Sequence, residues 1–416
     1  MHPEVVAKAE DARAAAAVLA AVSTEAKNRA LRLIAGALKE QSGKIIEANA
    51  RDLEEYRQSP GYSKALDDRL LLNEERIAGA ADGLLEIAAL DDPIGEVTGA
   101  TLRPSGLQVG QVRTPMGVVG IIYEARPNVT VDAAGLTLKS GNAVILRGGS
   151  EALQSNICLV RIIQEQLREA GLPEAAVQLI EDIDRAAART LMRLTGLVDL
   201  LIPRGGPALI KTVLENATIP VIQTGAGNCH LYVDEGAAKE MAVEIAFNAK
   251  VQRPGVCNAI ETLLIHEAAA EEILPAALER LAQAGVELRG CPRARRFHEA
   301  VQEAVEEDWG NEYLEMILAV KVVDSFDEAV AHINRYGTMH SEAIVTADYE
   351  RARLFLSRVD AAAVYVNAST RFTDGAEFGL GAEMGISTQK LHVRGPMGLK
   401  ALTSLKYIVY GSGQIR

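Results

Sequence analysis

The residues with the clearest capacity for chemistry are 252–259, Gln-Arg-Pro-Gly-Val-Cys-Asn-Ala. Cys257 follows a Pro-Gly turn and stands between a helical pattern over 240–251 and a strand-like run over 260–265. A thiol at such a junction can face a cleft while rigid elements hold it, and the tight turn suits close approach by a ligand. Arg253 is placed to lower the thiol pKa. This is the pattern of an activated nucleophile. An arbitrary cysteine is more often a small buried core residue, so the remainder of the chain must decide.

The other thiols do not compete strongly. Cys158 falls mid-helix, as a core residue would, and Cys291 opens a basic surface stretch over 293–298. Cys229 and His230 adjoin, but neighbours on a strand point to opposite faces and cannot pair as thiol and imidazole. The four cysteines contain no CxxC and the seven histidines no HExxH or similar spacing. No disulfide framework and no metal site are expected, and a reducing, cytoplasmic location fits.

Positioning these residues takes an extended α/β framework. The 416 residues allow two or three domains, and 48% apolar content is ample for a core. A net charge of −13 argues against nucleic acid and anionic membranes as partners, while leaving room for a local basic pocket. No apolar run approaches membrane-spanning length, and acidic residues before the run over 14–22 mark an amphipathic helix rather than a leader. Residues 5–90 read as mostly helical, with Thr24 as an N-cap and one helix over 26–55. Residues 101–113 alternate like a hairpin projecting from the body. From Gly117 onward strand and helix patterns alternate, with a further strand beginning at Val221, which means a parallel sheet covered by helices.

Two of these strand-to-helix turns share a form: Arg147-Gly148-Gly149-Ser150 and Arg204-Gly205-Gly206-Pro207. A glycine pair at a helix N-terminus exposes backbone N–H groups to an anion, with an arginine adjacent. Taken alone, the turns read equally well as a dinucleotide phosphate site or as ordinary connections. No GxGxxG lies in such a turn, so an ordinary Rossmann fingerprint is absent, and Gly225-Ala226-Gly227 carries little weight.

Four segments in one order then become specific. They are Tyr-Glu-Ala-Arg-Pro-Asn over 123–128, the run 138–150, the Cys257 segment, and His-Val-Arg-Gly-Pro-Met-Gly over 392–398. Together they resemble the gamma-glutamyl phosphate reductases, a branch of the aldehyde dehydrogenase superfamily, over residues 25–411. The resemblance implies NADPH-dependent reduction of L-glutamyl 5-phosphate to L-glutamate 5-semialdehyde and phosphate, the second step of proline synthesis. It makes Cys257 the nucleophile that expels phosphate and carries a thioester. It places Arg147, Gly148, Ser150, Gly205 and Gly206 at the cofactor, with Arg147 and Ser150 suiting NADP(H), and adds Glu312 and Phe378 on the nicotinamide side. Arg253, Ser369 and Arg371 fall to the substrate, Arg371 to its α-carboxylate. The oxyanion belongs to Arg126 or Asn128, with the alternative left open.

One departure informs the mechanism. The superfamily's water-activating glutamate aligns with Gln223, 34 residues before Cys257. A glutamine cannot take a proton from water, which disfavours a hydrolytic aldehyde dehydrogenase. A non-catalytic cofactor-binding homologue is the remaining alternative. The expected fold is aldehyde dehydrogenase-like. It has a Rossmann-type cofactor domain (1–100 and 116–225), an α/β catalytic domain (226–383) and a small β oligomerisation element (101–115 and 400–416). A return segment, 384–399, is expected to pack on the cofactor domain. The partners implied are the small-molecule substrate, further copies in a homodimer or homotetramer, and the glutamate 5-kinase.

Overall fold

The apolar run Val118–Tyr123 is buried at every position, as a central strand covered on both faces requires. It pairs in parallel with Ala143–Arg147 on one side and Leu200–Arg204 on the other. Val177–Leu179 extends the sheet beyond Ala143–Arg147. The computed structural model describes residues 1–416 except the Ala65 side chain. Its internal contacts divide the chain into two units: Met1–Thr224 with Gly379–Gly385 and Met397–Arg416, and Gly225–Phe378 with Ile386–Pro396. The segment expected to return as one piece over 384–399 is therefore divided between the two.

In the first unit, the helices Asn128–Lys139 and Leu153–Glu169 pack with the N-terminal helices around this sheet. The single helix expected over 26–55 is two, Thr24–Glu40 and Ser42–Arg57, broken at Gln41 (φ −102, ψ 18). The two halves favour different partners: Thr24–Glu40 packs most heavily on Glu74–Ala89 and Ser42–Arg57 on Leu153–Glu169, which Thr24–Glu40 also touches. The break is thus set by tertiary packing. Ser23 supplies the N-cap in place of Thr24, its Oγ accepting from Ala26 N, while Thr24 Oγ1 donates to Asp92 at 2.8 Å. The strand expected from Val221 amounts to one parallel bridge to Leu201.

The expected hairpin is formed by Val97–Leu102 and Gln108–Pro115, and Thr403–Tyr410 adds a third antiparallel strand along the whole of Gln108–Pro115. Leu405, Tyr407 and Val409 alternate along that strand and are exposed.

The second unit holds a seven-stranded parallel sheet. Its order is Val301–Glu303, Glu287–Gly290, Ile317–Val323, Ile260–His266, Cys229–Val233, Ser341–Val345, Ala363–Val366. The central strands Cys229–Val233 and Ile260–His266 are linked through the helix Lys239–Val251. That crossover carries the Cys257 loop.

Candidate active site

The helix Lys239–Val251 cannot continue through Pro254, which has no N–H to donate and restricts the residue before it. The chain therefore turns, and Cys257 sits half-buried on the loop that enters Ile260–His266. The loop is held from several sides within the second unit. Cys229 Sγ donates to the Cys257 carbonyl at 3.1 Å. Gly227 lies so close that a Cβ there would collide with the same carbonyl, so only glycine fits. Gly227 N donates to Glu312 Oε1 at 2.6 Å, which ties Glu312 to the loop.

Asn258 joins the thiol loop to the segment expected to hold substrate. Its Nδ2 donates to the carbonyls of Arg371 (3.3 Å) and Thr373 (2.9 Å), and its own carbonyl accepts from Thr370 Oγ1 at 2.6 Å. Ser369 is buried, and its Oγ caps the short turn Thr370–Phe372 by accepting from Arg371 N at 3.3 Å. Arg371 is half-buried and its Nε donates to Gln252 Oε1 at 2.9 Å. Burial and the Arg253 charge hold the Arg371 guanidinium below its ordinary range, while Cys257 pulls the other way. Arg253 and Cys257 are thus each within electrostatic reach of Arg371. Phe378 is exposed, its ring 6.5 Å from that of Tyr365.

Beneath the loop lies a buried polar chain. Tyr365 OH and Ser341 Oγ both meet Thr373 Oγ1 at 2.7 Å, and Ser341 Oγ meets His340 Nδ1 at 2.8 Å. His340 Nδ1 lies 3.8 Å from Cys229 Sγ. Burial pushes the His340 imidazole down to about 4 and raises the Cys229 thiol well above its ordinary value. Lys250 and Glu261, both fully buried, pair at 2.5 Å, and Glu261 Oε1 also accepts from Leu314 N at 3.1 Å, two residues beyond Glu312.

In the first unit, Arg126 is half-buried and Asn128 exposed at the start of Asn128–Lys139. Asn128 Nδ2 donates to Asp132 Oδ2 at 3.4 Å. Burial pushes the Asp132 carboxyl up to about 6, opposed by Arg204 and Asn128. The preceding Ala125 has φ 31, a strained value for a residue with a Cβ, and its N–H donates to Glu151 Oε1 at 2.6 Å. At the first glycine turn Arg147 donates to the carbonyls of Gly148 (2.7 Å) and Ile183 (2.9 Å). A Cβ at Gly148 would meet Asn156 and, at 3.3 Å, the Tyr123 ring. At the second, a Cβ at Gly205 would meet Leu209 at 2.8 Å, and Gly206 N donates to Glu124 Oε2 at 2.8 Å.

A cavity of about 970 Å³ is lined by Tyr123, Arg147, Gly149, Ser150, Ile183 and Leu209, among others. Ligand cavities of roughly 300–1,000 Å³ are usual for molecules of nucleotide size. The donor set and the close-packed glycines fit the adenosine end of a dinucleotide. Glu124 is a carboxylate at the helix-terminal N–H where a phosphate is favoured.

The description "Aldehyde dehydrogenase family" matches residues 2–290 and 309–408. The gamma-glutamyl phosphate reductase of Moorella thermoacetica is 61% identical over 413 residues, covering 99% of each chain. The chain belongs to the gamma-glutamyl phosphate reductase branch of the aldehyde dehydrogenase family. A crystal structure of gamma-glutamyl phosphate reductase from Thermotoga maritima is 50% identical, with TM-score 0.96 over 99% of this chain and 100% of that one. An acetylating aldehyde dehydrogenase from Geobacillus thermoglucosidasius shares the fold at 19% identity, with TM-score 0.71 over 99% and 97% of the two chains.

Against the site expected of a gamma-glutamyl phosphate reductase, the second unit gathers Cys257, Arg253, Glu312, Ser369, Arg371 and Phe378. The first holds Arg126, Asn128, Arg147, Gly148, Ser150, Gly205 and Gly206. Gly227, Asn258 and Cys229 brace the thiol loop, a role the sequence did not assign to any of them. Asn258 had a signal, being next to Cys257. Gly227 had only a short glycine doublet to mark it. His2, Glu4 and Asp182 bring ligand-type atoms within 4.8 Å of one another. There Lys8 already pairs with Glu4 at 2.9 Å.

Proposed function

We propose that the protein reduces L-glutamyl 5-phosphate to L-glutamate 5-semialdehyde and phosphate with NADPH, in L-proline biosynthesis. The observation that carries this is the placement of Cys257, half-buried on a braced loop within electrostatic reach of Arg371, in a chain of this family. Cys257 as thiolate attacks the acyl carbon, and the C–O bond to phosphate breaks with the electron pair leaving on phosphate. A thioester remains on the sulfur. NADPH, when bound, supplies the hydride that takes that carbon to the aldehyde level. The resulting thiohemiacetal collapses, returning the Cys257 thiol.

The chain's own residues hold the rest. The proposed anchor for the α-carboxylate is Arg371, set by the Ser369 cap and the Asn258 bonds. The proposed oxyanion donors are Arg126 or Asn128 with the Cys257 N–H. Arg147 and Ser150 are assigned to the adenosine ribose, Gly148, Gly205 and Gly206 to close backbone approach, and Glu312 and Phe378 to the nicotinamide end. Gln223 leaves water unactivated, so the thioester exchanges with phosphate.

Among the described residues no helix is long and apolar enough to cross a membrane, and a cytoplasmic location is part of the proposal. So is a homodimer or homotetramer built on the three-stranded sheet, whose outer strands Val97–Leu102 and Thr403–Tyr410 are edges. A stable active monomer in light scattering would contradict it. Contact with the glutamate 5-kinase, which makes the labile acyl phosphate, belongs to the same reading.

The deciding assay runs the reaction backwards. Glutamate semialdehyde should reduce NADP at full rate only with phosphate present, and omitting phosphate should cost at least about 10²-fold, the lower scale of general-base assistance to water. Full-rate reduction without phosphate would remove both the acyl-phosphate assignment and the role of Gln223.

A further inference from the structure

Arg147, which the family resemblance places at the adenosine ribose as suiting NADP(H), is already engaged. Both terminal nitrogens of Arg147 donate to backbone carbonyls, those of Gly148 and Ile183. The bond to Ile183 draws the loop before the helix Arg185–Leu191 against the first glycine turn. Arg185 follows Ile183 by two positions, and Arg189 stands one helical turn further on the same face. Both line the 970 Å³ cavity together with Ser150. Both are exposed, and among the described residues neither side chain forms an ion pair, hydrogen bond or ring contact.

We propose that Arg185 and Arg189 are the residues that select a 2′-phosphorylated dinucleotide, a conclusion that rests on the NADP(H) reading above. Like charges one turn apart repel, and a dianion placed between them converts that repulsion into charge-assisted bonding. Most of the acids nearby are committed elsewhere, Glu124 to Gly206 N among them, while Glu55, which also lines the cavity, is exposed. Asp182 accepts from His2 and from Asp184 N, and Asp184 accepts from Ala186 N. Glu151 accepts from Ala125 N, and Asp52, on the helix Ser42–Arg57, accepts from Gln154 N and Ser155 N. Ser150 adds a hydroxyl and no charge to the turn that Arg147 joins to this loop. Arg147 then acts as a positioning residue, fixing the loop that presents the two arginines.

The test is calorimetric titration of adenosine 2′,5′-bisphosphate and of AMP into the unmodified protein, Arg185→Gln, Arg189→Gln and the double variant, with a melting curve for each. The unmodified protein should bind the bisphosphate at least about tenfold more tightly than AMP. Each single variant should lose about tenfold for the bisphosphate, the scale of one hydrogen bond to a charged group. AMP binding should change by less than about twofold, because AMP lacks the selecting group. A further variant carrying Arg185→Lys and Arg189→Lys, which keeps charge without the planar fork, should recover part of the loss. If the double glutamine variant keeps the preference, the arginine pair is not the selector and the NADP reading stands. If the unmodified protein binds the two probes equally, the NADP reading fails and this inference with it.

Discussion

Cys229 is fully buried on a central strand, whereas Cys257, whose carbonyl it touches, is half-buried on a loop. Cys229 has an imidazole nearby, at 3.8 Å, the arrangement often sought for an activated thiol. Yet burial raises its pKa well above the ordinary value and also holds His340 neutral down to about pH 4. A thiol and an imidazole that are both deprived of water do not exchange a proton readily. Cys257 instead has Arg371 within electrostatic reach and is only half-buried. Proximity of thiol and histidine is therefore a poorer guide here than access and the sign of nearby charge. The buried thiol supports the loop that carries Cys257.

The largest effect should separate the two directly. Cys257→Ser should lose at least about three orders of magnitude in turnover, roughly 4 kcal/mol of barrier, while still binding the cofactor. Cys229→Ala should stay within about tenfold, because it removes a brace and not the nucleophile. A dead Cys229 variant beside an active Cys257→Ser would reverse the assignment.

A second contrast lies in acid stability. The folded chain holds His340 at about 4, against an ordinary 6.5, so the unfolded chain binds that proton more tightly. The stability this neutral histidine retains is complete above about pH 6.5 and falls away as the pH drops toward 4, by at most about 3 kcal/mol. Denaturant midpoints for His340→Asn should fall less steeply over that interval than those of the unmodified protein. Parallel curves would mean that His340 titrates normally and that the pocket around Cys229 admits water.

The smallest effect is structural. Cys229→Ala should reduce stability by about 1–2 kcal/mol, the cost of a small cavity together with the lost bond to the Cys257 carbonyl. An unchanged melting midpoint would show that Gly227 and Asn258 hold the loop without it.

Much of the framework was legible because it rests on local rules. Val118–Tyr123, Pro207–Asn216 and Ala363–Val366 follow from apolar runs and proline punctuation, which act over a few residues. The opposite facing of Cys229 and His230 follows from strand geometry alone: one joins the core beneath the helix Lys239–Val251, the other bonds to Glu342 at 3.0 Å. The nucleophile candidate and the family resemblance were likewise visible in short ordered segments. Tertiary structure decided the rest. The break at Gln41, the Gly227 approach to Cys257, the Asn258 lacing of 370–373 and the engagement of Arg147 by Ile183 each join residues distant in sequence or set by packing partners. A sequence records which side chains are available; it does not record which carbonyl takes up an arginine's donors. Here that contact, made across the fold, takes up the terminal nitrogens of Arg147 that the sequence leaves free for a ligand.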